Sequence, residues 1–326
     1  MILDIARHKF YEGLITLFVT TIILVTLLIT QTGDSGIGTA IDSPLMQLIG
    51  AATFGSGFLK GLAVVLIYAA SVLSLSRATL RAHIYPVSTM APMALCAVLM
   101  LPMITSGDAL HQAVIILLMT YSLSNMFHCF SHRRCVHRLF TAMFAASTLA
   151  VVEASMVVIP VAMCLALIAA RKKFHEAIVV IVGMVLPLFA YCYIEWLMGT
   201  GFSSTALLWW RSITTPLAAN ILDNITLTRL VFIAYIVILH ATASVLQLAQ
   251  RDSESSVVRG SWRALQLLII VELCSVLLLP SASDSMLTAL TITASSTLSI
   301  YFIRSGALLG VVGYVALFSL AIAAAI

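Results

Sequence analysis

The chain is a succession of apolar runs, most of them close to the length of one bilayer crossing. They are Gly13–Thr30, Phe58–Ser76, Ser88–Ile104, Ala109–Phe127, Leu139–Ala170, Ala177–Leu197, Leu227–Leu248, Ala264–Leu279, Met286–Ile303 and Gly306–Ile326. A hydrocarbon core about 30 Å thick takes roughly 20 apolar residues of α-helix. Lipid offers no hydrogen-bond partner to an exposed backbone, so such runs must be helices. Composition points the same way: 61% of residues are AVILMFWYC, 9% are charged, and the mean hydropathy is +1.10. Ordinary soluble domains are about a quarter charged. This chain cannot clothe its apolar surface with polar side chains, which excludes a water-soluble globule, and it is far too apolar for disorder. The expected fold class is all-α: a polytopic transmembrane helix bundle forming one integral membrane domain over residues 1–326.

Leu139–Ala170 breaks the pattern, being too long for one crossing and short for two. Arg133, Arg134 and Arg138 flank it on one side and Arg171, Lys172 and Lys173 on the other, with Glu153 near the middle and Pro160 beyond. A single crossing would put these two basic clusters on opposite sides of the membrane. A hairpin of two short helices, turning near Val152–Ser155, keeps both in the cytoplasm, as positive residues prefer. With that hairpin the chain has about eleven helices, N-terminus cytoplasmic and C-terminus periplasmic in a bacterial inner membrane. The first run is then an uncleaved helix, since no small-residue cleavage pattern adjoins it. All Lys and Arg except Lys60, Arg211 and Arg229 fall inside. The net charge of +4 is thus sorted to one face, and no nucleic-acid partner is implied.

The outer face is acidic. Asp34 and Asp42 lie in the long outer loop Gln31–Gly57, Asp108 in the turn before the fourth helix, and Asp223 and Asp284 farther on. A carboxylate tethered at the bilayer surface suits a general base or a divalent-metal ligand. The competing readings are a solvated Asp in a Gly-rich turn for Asp34 and Asp42, and a helix N-cap for Asp108. Glu153 is costly in so apolar a stretch, and an intramembrane carboxylate points to function or to an essential polar contact. Glu272 fits an interhelical hydrogen bond. Arg211 follows Trp209-Trp210 in a segment expected to be an interfacial helix; a guanidinium there can hold a lipid phosphate or simply anchor the helix. His128, His132 and Cys135 would share a face if that stretch were helical, but their spacing matches no standard zinc motif and arginines flank them. The six cysteines suggest no disulfide framework.

From Arg138 to about Gly201 the order is Arg138-Leu-Phe-Thr, Glu153, Val158-Ile-Pro160, the run Arg171-Lys-Lys-Phe-His175, Gly183-Met-Val-Leu-Pro187 and Gly199-Thr-Gly201. This stretch resembles the central hairpin and following helix of the polytopic glycosyltransferases of the GT-C superfamily. It is also similar to a family of integral membrane proteins of Bacteroidetes. The first resemblance implies transfer of a sugar from a polyprenyl-phosphate carrier on the outer face, in envelope glycan or lipid assembly. Asp34 takes the place of the first-loop acid, Asp108 that of a second acid used by some members for metal, and Arg211 lies in the loop covering the lipid phosphate. Glu153 and Asp42 complete the candidate set. The chain departs from the family in lacking a paired Asp-Asp or Asp-x-Asp. Three outcomes stay open: an active transferase, an inactive relative, and a non-enzymatic transporter, flippase-like protein or scaffold with membrane-protein partners.

Overall fold

The computed structural model describes residues 10–30, 57–85, 89–105, 108–131, 135–170, 174–199, 201–214, 225–249, 256–279, 281–305 and 307–326. Among these residues there is no strand. The helices are α1 (Phe10–Thr30), α2 (Gly57–Arg81), α3 (Ala91–Ile104), α4 (Ala109–Ser131), α5 (Val136–Val152), α6 (Val158–Ala170), α7 (Phe174–Leu197), α8 (Phe202–Thr214), α9 (Leu227–Ala249), α10 (Ser256–Leu278), α11 (Asp284–Arg304) and α12 (Ala307–Ala325), with one 3-10 turn at Ala154–Val157. Among the described residues eight helices are long and apolar enough to cross a membrane, and Ala91–Ile104, Val136–Val152 and Ala154–Ala170 are shorter apolar segments. The chain is an all-α, multi-pass membrane bundle.

α11 is the axis of that bundle. Its hydroxyls at Thr288, Thr291, Thr293, Ser295, Ser296, Thr297 and Ser299 are all buried, which small side chains permit when helices approach closely in lipid. α3, α9, α10 and α4 pack around it. α3 is buried at every residue and starts with Pro92 in its first turn, where a missing N–H costs nothing. Tyr68 of α2 donates its hydroxyl to the Ala97 carbonyl of α3 at 2.7 Å and lies 2.9 Å from the Thr20 hydroxyl of α1, tying three helices together. The outer helices present Ile, Leu, Val and Phe outward, as at Ile15, Phe18, Ile181, Val185 and Val312, and this is the face lipid covers.

The run Leu139–Ala170 is a hairpin. α5 stops at Val152, Glu153 is extended at φ −146° and ψ 115°, and α6 resumes at Val158. The start of α5 and the start of α7 line one cavity through His137, Arg138, His175 and Glu176, so the chain has returned to the end it left. Gly183 makes the α5–α7 approach possible: a Cβ there would sit 3.0 Å from both the Phe140 carbonyl oxygen and the Met143 Cβ.

Charge divides the two ends of the bundle. One end carries Arg77, Arg81, Arg138, Arg259, Arg263 and Arg304 together with His128, His137 and His175, and the acid Glu176 lies among them. The other carries Asp108, Glu153, Glu195 and Asp284, with Arg211 and Arg229 beside them. These are called the basic and acidic ends below.

Candidate functional site at the acidic end

The acidic end gathers the hairpin tip, the starts of α4 and α11, and the amphipathic helix α8. Because Glu153 interrupts the hairpin, its side chain is free of either helix and reaches across to two other elements. Its Oε1 accepts from Ser155 Oγ at 2.9 Å and from Ser283 Oγ, and its Oε2 lies 3.2 Å from Nε2 of His111 on α4. The side chains of His111 and Glu153 are 7% and 16% exposed, so the pair is largely shielded from solvent. Glu153 lies in the turn outside both helices. Burial pushes its carboxyl up, but the bonds from His111, Ser283 and Ser285 outweigh this and hold it below its ordinary value.

An ionised carboxylate only accepts, so the proton between the pair sits on His111 Nε2. Nδ1 is buried and has no hydrogen-bond partner among the described residues. A buried polar atom left in that state costs about 1–3 kcal/mol. The carboxylate therefore fixes the ring and its tautomer, and the opposite nitrogen is left to take a proton or a hydrogen bond from something else.

Around this dyad lies a second layer of polar contacts. Gln112 Nε2 donates to Ser285 Oγ at 3.4 Å, and its Oε1 accepts from Thr288 Oγ1 at 2.7 Å. Arg229 Nη1 is 3.7 Å from Asp284 Oδ2, and Arg229 Nε donates to the Ala324 carbonyl at 3.5 Å. α8 is fixed over the site at two points: Trp209 Nε1 donates to the Ala150 carbonyl at 2.8 Å, and Ser281 Oγ donates to the Ile213 carbonyl at 2.7 Å. Trp210 and Arg211 face outward from it, as an interfacial helix requires.

Of the residues singled out from sequence, Glu153 stands at the centre of this cluster. Asp108 accepts from the Leu110 N–H at 3.0 Å through Oδ1, the contact of an N-cap on α4. Arg211 is on α8 and exposed, and Arg229 stands beside Asp284. Asp34 and Asp42 lie outside the described residues. Among the described residues, no three His, Cys, Asp or Glu side chains come together as a metal-binding group. Sequence reasoning passed over His111. Its only signal was its place one turn into the helix that Asp108 caps, and its partner is 42 residues away in the chain. Glu272 forms the interhelical bond expected of it, accepting from Thr293 Oγ1 at 3.0 Å.

No protein-family model, curated protein or solved structure matches this chain.

Proposed function

We propose that the acidic end is the working face of a membrane-embedded enzyme and that His111 and Glu153 are its proton-handling pair. The single observation behind this reading is the carboxylate–imidazole dyad at the tip of an interrupted hairpin, with a buried Nδ1 that has no partner among the described residues. A general base must offer a lone pair within hydrogen-bond reach of the proton it takes. Here His111 is the base and Glu153 the positioning residue that holds its ring, a division of labour also found in Ser–His–Asp sites.

The reaction class comes from the resemblance to GT-C glycosyltransferases. In that reading an acceptor hydroxyl loses its proton to His111 Nδ1. Its oxygen bonds to the anomeric carbon of the donor sugar as the bond from that carbon to the phosphate oxygen breaks. Polyprenyl phosphate departs with the electron pair. Arg211 or Arg229 meets the charge that develops on it. Asp34 and Asp42 belong to the same proposal as acids of the first loop, available to a divalent metal. The orientation is likewise proposed: the basic end in the cytoplasm and the acidic end in the periplasm of a bacterial inner membrane, by the preference of cations for the inner side.

The test is release of polyprenyl phosphate from a polyprenyl-phosphate hexose by the full chain in proteoliposomes, with alcohol acceptors supplied outside to take the sugar. His111→Ala should lower turnover by about 10²–10⁴-fold, and Glu153→Gln by a similar factor with KM unchanged. A wild-type protein with no turnover above empty liposomes, or a His111→Ala variant at full rate, overturns the assignment.

A second reading rests on α11. Polar contacts follow it from end to end: Gln112 with Thr288, Glu272 with Thr293, and His240 with Thr297 at 3.0 Å, the last extended by Gln266 and Ser244. A transporter could use such a file as a proton path. Proton uptake into liposomes under an imposed potential, lost in Glu272→Gln, would select it over the enzyme.

A further inference from the structure

The basic end holds a cavity of about 640 Å³ between α2 and α4, remote from the dyad. Arg77 and Arg81 project into it from α2, Arg138 from the start of α5, and Tyr121, Asn125 and His128 from α4. Among the described residues lining it none is acidic; Glu176 lines the neighbouring cavity that Arg138 and His128 share. Arg77 and Arg81 are four residues apart on one helical face, an arrangement of like charges that works against the helix unless an anion offsets it. Arg138 is built into place: its Nη1 donates to Asn125 Oδ1 at 2.8 Å, and Asn125, 2% exposed, is itself held by the bond from its Nδ2 to the Tyr121 carbonyl at 2.8 Å. Three guanidinium groups lining one cavity suit a phosphate, whose free oxygens accept charge-assisted bonds from them.

Beyond the cavity, toward the middle of the bundle, the same helix faces turn apolar. Along α2 the arginine face becomes Ser74, Ala70 and then the exposed Leu66. Along α4, Tyr121 is 45% exposed and Leu117 follows it one turn farther at 41%. Arg77 to Leu66 spans about 16 Å of helix, the depth of one leaflet of a 30 Å core. A charged mouth at the end of the bundle with an apolar track of leaflet length beneath it matches a molecule with a phosphate head and acyl tails.

We propose that this groove is a binding site for an anionic phospholipid, its phosphate on Arg77, Arg81 and Arg138 and its chains along Leu66 and Leu117. Free inorganic phosphate shares the head-group chemistry but has no use for the track.

The test uses the full chain in detergent with spin-labelled phosphatidylglycerol and spin-labelled phosphatidylcholine as probes. Wild type should hold phosphatidylglycerol about tenfold more tightly than phosphatidylcholine. R77Q/R81Q should fall to the phosphatidylcholine level, and R138Q should show a partial loss by itself. R263Q removes an exposed cation at the same end and should leave the preference intact. Equal binding of the two lipids by wild type, an equal loss in R263Q, or displacement of phosphatidylglycerol by millimolar inorganic phosphate would each overturn the proposal. The first removes selectivity, the second reduces the site to diffuse surface charge, and the third makes it a free-anion site. Arg77 and Arg81 are exposed and bear no packing role, and the R138Q arm reads the same site should the double variant not fold.

Discussion

At the scale of single residues, Glu153 and Glu272 show how differently two carboxylates are accommodated. Glu153 receives three side-chain donors from α4, the 3-10 turn and the α10–α11 turn. Glu272 receives one, and its Oε2 has no partner among the described residues. Replacing Glu153 with Leu should leave those donors unsatisfied and destabilise the bundle by about 1–3 kcal/mol, seen as a lower Tm in detergent. Because Glu153 is held below its ordinary carboxyl value, the ionised form supports the fold above the unfolded-state value, and that support is lost as pH falls through the folded one. Acidification below about pH 4.5 should therefore lower the Tm of wild type more than that of Glu153→Gln. Glu272→Gln keeps the Thr293 bond and removes a group that is costly to charge in lipid, so its Tm should equal or exceed wild type. Glu153 was legible in the sequence as an unusual polar position, because an acid in an apolar run is visible by itself. His111 was invisible, because a histidine becomes half of a dyad only when a residue 42 positions away is folded against it.

At the scale of elements, close approach and helix termination carry the strain. α2 ends with Ile84 N–H bonded to the Thr79 carbonyl at 3.4 Å and His83 at φ 49°, a left-handed position usually taken by glycine. His83→Gly should raise stability by about 1 kcal/mol in a detergent melt. Gly183→Leu must push the Phe140 carbonyl and Met143 away from α7. It should separate α5 from α7 and cost about 1–3 kcal/mol, with faster amide exchange confined to residues 136–152 and 174–197. The hairpin was legible because charge flanks and an interrupting acid both marked it. α8 was legible because Trp-Trp-Arg is an interfacial signature. Its seat over the hairpin, through Trp209 to Ala150, was not, since a carbonyl acceptor carries no mark in the sequence.

At the scale of the whole molecule, charge is the organising variable. The described arginines other than Arg211 and Arg229 occupy one end, and Asp108, Glu153, Glu195 and Asp284 the other, so a reporter inserted after Lys173 should read as cytoplasmic and one after Gly201 as periplasmic. The reverse result would invert the proposed orientation, and with it the face at which His111 and Glu153 meet substrate. The ten apolar runs follow from hydropathy alone, because the bilayer imposes its thickness on every helix separately, and the described helices resolve them into eight spans and three shorter apolar segments. Membership of a bundle, number of crossings and the sorting of charge are properties of each segment and its flanks, and the chain states them locally. Which helix becomes the axis, which imidazole meets which carboxylate, and which arginines share a cavity are relations between segments dozens to hundreds of residues apart. Tyr85 donating to the Ser296 carbonyl across 211 positions is one such relation. Inside lipid no hydrophobic force chooses between partners, so packing of small residues and satisfaction of buried polar atoms make that choice, and both exist only once the helices are side by side.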